Sequence, residues 1–221
     1  MKRKLYDLAG ADPNFRFSPY CWRIKLALAH KNLPYETVPW RFTDKEAVAF
    51  ADSTKVPVLV DGSRTIADSQ AIAEYLETEY SNEASLFGDP PSRALTRFIK
   101  AWAEDALQPA IARIVVPELV HKLAPQDQAY FRETREAMFK TSFEELASNR
   151  EANVAAFKRV LNPVRTTLDA QPFLAGSAPS YADHLLYGAL IWARMASTPR
   201  LLDDEPKILS WMEAVLATYG L

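Results

Sequence analysis

Along the first eighty residues, apolar positions fall into short runs whose spacing switches between the two-residue period of a strand and the 3.6-residue period of a helix. KLYDLAG reads as a strand ended by Gly10, and the segment from Pro19 to Lys31 sets Ile24, Ala27, Leu28 and Lys31 on one side of a helix. YETVPW is a second strand and DKEAVAFAD a short second helix. VPVLVDG is a β-branched run closing in Asp61-Gly62, a two-residue hairpin signal, with RTIAD as the returning strand. DSQAIAEYLETEY then holds a 3.6 period through Ala71, Ile72, Tyr75, Leu76 and Glu79. The order βαβαββα predicts a small mixed sheet with helices against it, because a parallel pair needs a crossover while the hairpin supplies an antiparallel one.

The pattern changes at SNEASLFGDPPS, residues Ser81 to Ser92, a polar, Pro-rich connector. The expected division is a first domain over 1–82, a linker over 83–92 and an all-helical domain over 93–221. Beyond the connector the segments are long, helical in period and rich in Ala, Leu, Glu, Lys and Arg. Pro109 and Pro117 should kink or break the first of these helices, and Pro163 the one carrying Val154, Phe157, Val160, Leu161, Val164 and Leu168. Ser180 and Asp183 have capping-box spacing ahead of an apolar helix, with Asp where Glu or Gln is usual; such a cap contributes about 1 kcal/mol. The run LLYGALIWA at 185–193 shows no polar face and belongs in a bundle core. It is well short of the roughly 20 residues that span a bilayer.

Composition removes several partners. Twenty-six basic and 28 acidic residues, mixed along the chain, leave a net charge of −2, which is no footprint for nucleic acid or an anionic membrane. With 48% hydrophobic residues the chain can build a core large enough to offset the entropy of folding. One cysteine excludes an intramolecular disulfide framework and fits a reducing, cytoplasmic setting. Asp7 and Asp12 interrupt the basic start before a signal-peptide core can form. The three histidines, His30, His121 and His184, lie far apart with no metal-ligand spacing and read as surface or boundary residues. GxGxxG, Walker and GxSxG patterns do not occur.

Three places in the first domain remain. Ser18-Pro19 has the form of an N-cap followed by a first-turn proline, which starts a helix and requires no function. The same hydroxyl, beside free N–H groups and the positive end of a helix dipole, can also donate to an incoming thiolate. Lowering a thiol pKa from ~8.5 to ~6.5 takes about 2.7 kcal/mol, and a hydrogen bond to a charged group contributes roughly 1.5 to 3. Val56-Pro57 interrupts a strand-like run, as an edge, a strand start or a cis bond would; a cis bond would leave the Val56 backbone open to an extended peptide. Asp68-Ser69, at a helix entrance, is either a cap or a holder for the carboxylate and ammonium of an amino-acid head group.

In order, SPYCWRIKLAL, KVPVLVDG and ADSQAIAEYLE, followed by a helical half with PSYAD, give a chain that resembles a soluble glutathione transferase over nearly its whole length. The resemblance implies a thioredoxin-like first domain, an all-α second domain and a two-fold homodimer. It implies glutathione as co-substrate, with Ser18 stabilising its thiolate, Val56 before a cis Pro57 pairing with its cysteinyl backbone, and Asp68 and Ser69 holding its γ-glutamyl group. Lys55 is assigned to the same side; Arg41 and Lys45 would reach the glycyl carboxylate or stand solvated at a helix start. Tyr20, Trp102, Ile111 and Ile114 would line an apolar acceptor pocket, though residues at such spacing are also core. The sequence is similar to the bacterial β-aryl etherase-type and fungal etherase-like transferases, which implies an aromatic acceptor such as an aryl ether. Cys21 matches a dispensable second cysteine and is expected to be a small buried residue open to glutathionylation. Two other readings are a non-catalytic glutathione-fold scaffold and a thiol-disulfide reductase acting through Cys21.

Overall fold

The first half of the chain builds one four-stranded sheet in the computed structural model, which describes residues 3–221. Its strands are β1 (Arg3–Leu8), β2 (Tyr35–Trp40), β3 (Val58–Asp61) and β4 (Arg64–Ala67), in the order β2-β1-β3-β4. β1 and β2 are parallel, with Leu5 opposite Thr37, and the crossover between them is α1 (Pro19–His30). β3 runs antiparallel to both β1 and β4. Asp61 still pairs with Arg64, so the hairpin loop is Gly62-Ser63, one residue later than the Asp-Gly signal suggested. Gly62 takes the positive φ of 62° that a two-residue turn requires. The segment expected as a second helix is a 3₁₀ helix over Lys45–Ala51. Asp44 makes no side-chain cap, and Asp52 ends the segment at a φ of 49°, so there is neither a start signal nor length for an α-helix. α2 (Ser69–Glu79) completes the half.

The rest is helical: α3 (Pro90–Trp102), α4 (Gln108–Leu119), α5 (Pro125–Phe139), α6 (Phe143–Ser148), α7 (Arg150–Val160), α8 (Asn162–Ala170), α9 (Tyr181–Ala196) and α10 (Pro206–Thr218). Asp89 caps α3 by accepting from the Ser92 N–H at 2.9 Å, with Pro90 and Pro91 in the first turn. α3 and α4 are joined by a π turn over Ala103–Leu107. Pro109 explains it: without an N–H it cannot donate to the Asp105 carbonyl four residues back, and the helix widens just upstream. Pro117 lies inside α4 and the coil tightens to 3₁₀ three residues later, while Pro163 falls in the first turn of α8, where the expected long helix breaks. The Ser180–Asp183 capping box is present, and Asp183 also accepts from Leu174 N–H and Trp211 Nε1.

α9 holds the two halves together. Tyr181 and Leu185 enter a core that includes Leu5, Ile24, Leu28, Leu59, Ile72 and Leu76. A Cβ at Gly188 would lie 2.4 Å from the Pro19 carbonyl oxygen, so only glycine lets α9 come this close to the start of α1. At the other end of α1, His30 Nδ1 and His184 Nε2 each lie 2.8 Å from the Tyr219 hydroxyl. The expectation of separate surface histidines is therefore corrected: His184 is fully buried and meets His30 through Tyr219. Their separation in sequence hid a contact made by three helix ends. Among the described residues no helix is long and apolar enough to cross a membrane.

Candidate active site

A cavity of about 700 Å³ opens between the halves. On the sheet side its wall includes Ser18, Tyr20, Trp40, Phe42, Lys55 and Val56. Ser18 is held in place by its surroundings. Its extended backbone (φ −65°, ψ 123°) makes it the N-cap, and its Oγ accepts from the Cys21 N–H at 3.3 Å. The loop leading to it is fastened by Ala11 N–H to the Lys122 carbonyl (2.9 Å) and by Trp22 Nε1 to the Arg16 carbonyl (2.6 Å). Arg16 and Lys25 both pair with the buried Asp7, at 3.3 and 2.6 Å. The result is a hydroxyl fixed at a helix N-terminus and facing a cavity.

Cys21 is a different kind of group. It is fully buried, and burial, reinforced by Asp7, pushes its thiol pKa well up; the Ser18 hydroxyl, the Leu8 backbone and Lys25 pull the other way and lose. A thiol in that position is neither a nucleophile nor open to glutathionylation, which corrects the latter expectation.

The Val56–Pro57 bond is cis, with Val56 at the cavity wall and Pro57 buried behind it. Asp68 caps α2, its Oδ1 accepting from the N–H groups of Gln70 (2.8 Å) and Ala71 (3.0 Å) at a φ of 79°. Ser69 is buried and its carbonyl accepts from the Tyr181 hydroxyl at 3.2 Å. Neither lines the cavity, but the Asp68 charge reaches Tyr20 on its wall: burial raises the Tyr20 pKa, Arg23 opposes, and Glu104 and Asp68 add to the rise. Arg41 lies between Trp40 and Phe42, which face the cavity, and its Nη2 points at the Ala11 carbonyl 3.5 Å away; that contact is too long for a strong hydrogen bond. Arg41 itself is not part of the cavity wall.

The helical wall differs from the expected one. Ile111 and Ile114 are core residues, 0% and 3% exposed, and Trp102 packs against that core instead of the cavity. From α4 the cavity takes Gln108, Pro109, Ala112, Arg113 and Leu119, while Ile111, Ile114 and Val115 sit in the packed core. Glu104, swung in by the π turn, pairs with Lys100 Nζ (2.6 Å) and with Nη1 of the fully buried Arg23 (2.9 Å). Burial raises the Glu104 pKa, but Lys100 and Arg23 outweigh it and the carboxyl sits below its ordinary value. α5 contributes Tyr130, Phe131, Arg135 and Phe139, and α9 contributes Trp192. A buried aspartate closes the gap between the walls: Asp127 Oδ1 accepts from Thr43 N–H (2.9 Å) and Oγ1 (2.7 Å), drawing Phe42 onto Phe131 at 5.3 Å. Sequence reading found none of Glu104, Asp127 and Arg135. Pro109, just beyond the π turn, was the one available signal, for Glu104 alone.

Residues 17–79 match the model described as "Glutathione S-transferase, N-terminal domain", and residues 94–219 that described as "Glutathione S-transferase, C-terminal domain". A probable glutathione S-transferase, GSTU6 of Oryza sativa subsp. japonica, is 28% identical over 214 residues, covering 91% of this chain and 81% of the relative. Glutathione transferase GSTFuA3 from Phanerochaete chrysosporium superposes with a TM-score of 0.88 at 28% identity, covering 99% of this chain and 97% of the other. The glutathione S-transferase CsGST83044 of Ceriporiopsis subvermispora, solved in complex with glutathione, shares the fold with a TM-score of 0.86 at 22% identity, covering 100% and 98% of the two chains.

Proposed function

The chain belongs to the glutathione S-transferase family, and from that premise we propose that it activates the glutathione thiol through the Ser18 hydroxyl and directs the thiolate at an aromatic acceptor held by the helical wall. The observation that carries this reading is the placement of Ser18, the cap of α1, on the wall of a cavity whose far side is aromatic. The hydroxyl donates to the sulfur and lowers the cost of its negative charge, and the helix N-terminus adds to the effect. The thiol proton passes to solvent. Sulfur then forms a bond to the electrophilic carbon, and the leaving group departs with the electron pair: a halide from an activated aryl halide, or a phenolate when an alkyl carbon of an aryl ether is attacked. Val56 offers backbone N–H and C=O groups to the extended tripeptide, with Lys55 beside it. Asp68 and Ser69, at the start of α2, hold its γ-glutamyl end.

The buried Cys21 thiol speaks against disulfide reduction. A cytoplasmic setting fits a chain with one cysteine, fully buried. Self-association is part of the same proposal: Leu95 and Phe98, one turn apart on α3, are 66% and 69% exposed and give an apolar patch for a second copy. Sedimentation of the wild type beside Leu95→Glu checks it, with the variant expected to run as a monomer.

Turnover of glutathione with chlorodinitrobenzene and a small panel of aryl ethers tests the reaction. Ser18→Ala should lower kcat/KM by roughly 10- to 100-fold, the equivalent of one hydrogen bond to a charged sulfur. Cys21→Ala should stay within about twofold. Loss of activity in Cys21→Ala alone, with Ser18→Ala active, would overturn the assignment.

A further inference from the structure

The helical wall carries positive charge that no described residue pairs with. Arg135 lies on α5 at the cavity wall, half-buried, with its guanidinium over the rings of Phe131 (4.9 Å) and Phe42 (5.4 Å). Among the described residues its one side-chain hydrogen bond is Nη1 donating to the Thr134 hydroxyl at 2.9 Å. Arg113, exposed on α4, stands over Phe139 at 5.6 Å and lines the same cavity. Among the described residues neither arginine has a carboxylate within ion-pair distance, and of the arginines without one these two line the cavity. The acidic residue that does line the cavity, Glu104, is already taken by Arg23 and Lys100.

A guanidinium drawn into an aromatic wall loses part of its hydration, and the cation–π contacts return only some of it. Burial pushes the Arg135 pKa down, with only Tyr130 opposing, but arginine stays charged throughout the working range. An unanswered, planar five-donor cation beside Phe42, Phe131, Phe139 and Trp192 has the form of half a binding site. The missing half is a flat apolar body ending in an anion.

We propose that the acceptor site is built for aromatic carboxylates, with the ring on the Phe42–Phe131–Phe139 surface and the carboxylate on Arg135, and Arg113 drawing the anion toward the mouth. This rests on the transferase reading for its place in the reaction, since the ring would carry the electrophilic carbon. The binding itself needs no turnover. It makes the acceptor an acid, a narrower class than an apolar aromatic molecule. The bidentate geometry of a guanidinium with a carboxylate also sets how the ring enters, with the acid group toward α5 and the opposite ring edge toward Ser18.

The test compares two isosteric, unreactive probes, 2-naphthoate and 2-naphthamide, by titration calorimetry on the glutathione-saturated protein. The expected result is naphthoate binding tighter than naphthamide by about tenfold or more. In Arg135→Gln that ratio should collapse to about one, and in Arg135→Lys, which keeps the charge but not the fork, part of it should remain. Equal affinities for the two probes would overturn the proposal. So would a preference that survives in folded Arg135→Gln. If glutathione displaces naphthoate, the cations serve the tripeptide and the proposal falls as well. Absence of turnover with preserved naphthoate selectivity would instead defeat the transferase reading and leave this one standing.

Discussion

Lys55 and Val56 reach the cavity from the approach to β3 and Ser18 from the mouth of α1, whereas Ala112, Tyr130, Arg135 and Trp192 reach it from within helices of the second half. The first wall is made where elements begin and end. Residues there are fixed by local rules: a cap needs an oxygen, and a first turn tolerates a proline. The second wall is made of helix faces, and which face looks inward depends on how separate helices pack. A chemical role demanding one atom in one place falls on the first kind of wall, and tolerance for different acceptor shapes comes more easily to the second. The substitutions that follow press on this difference.

The largest effect is expected where the walls are joined. Gly188→Val puts side-chain atoms where the Pro19 carbonyl already stands, and forces α9 away from the start of α1. We expect a loss of about 3 kcal/mol or more of stability, read in urea unfolding, with Ser18 displaced and activity falling in proportion. Unchanged stability would mean the two walls are not held in register by this contact.

The second joint is titratable. Burial lowers the pKa of both His184 and His30, with His30 adding to the effect on His184, and Lys31 to that on His30 against an opposing Glu77. Folded-state values below the unfolded ~6.5 mean both histidines stay neutral while the unfolded chain takes up protons. The stability they contribute is therefore complete above about pH 6.5 and is lost as pH falls below it, at up to about 1.4 kcal/mol per pH unit for each. Thermal melts between about pH 7.5 and 5.5 should show this slope, and His184→Gln, which still reaches Tyr219, should flatten it. A flat wild-type profile would contradict the buried neutral pair.

Smaller still is the effect on the helical wall itself. Phe139→Leu removes one ring from the proposed acceptor surface and should raise the acceptor KM by about three- to tenfold, since aromatic pairs contribute roughly 0.5 to 1.5 kcal/mol. The glutathione KM should move less than twofold. Equal changes in both would show that the walls do not divide the two substrates.

The same difference explains what could be read from the sequence. Ser18-Pro19 and the Ser180–Asp183 box are short-range signals, and the elements they mark stand where they were expected. The β3–β4 loop came one residue late because Asp61 remains in its strand, a choice made by pairing across the sheet. Ile111 and Ile114 were expected at the cavity because they are apolar and periodic. Periodicity gives a helix two faces without saying which one is covered, and on α4 the packed face took the isoleucines. Asp127 and Thr43 are 84 residues apart, and His184 and Tyr219 meet only after α10 has folded back. No local pattern announces such contacts, because they are consequences of packing.

The central claim is that Ser18 lowers the cost of charge on sulfur, and the most direct measurement is the titration of enzyme-bound glutathione, followed by the ultraviolet absorbance of its thiolate in wild type, Ser18→Ala and Cys21→Ala. The account predicts a midpoint near pH ~6.5 in the wild type and in Cys21→Ala, displaced upward by about one to two units in Ser18→Ala. A wild-type midpoint at the ordinary thiol value of ~8.5, or one that Ser18→Ala leaves in place, would contradict it.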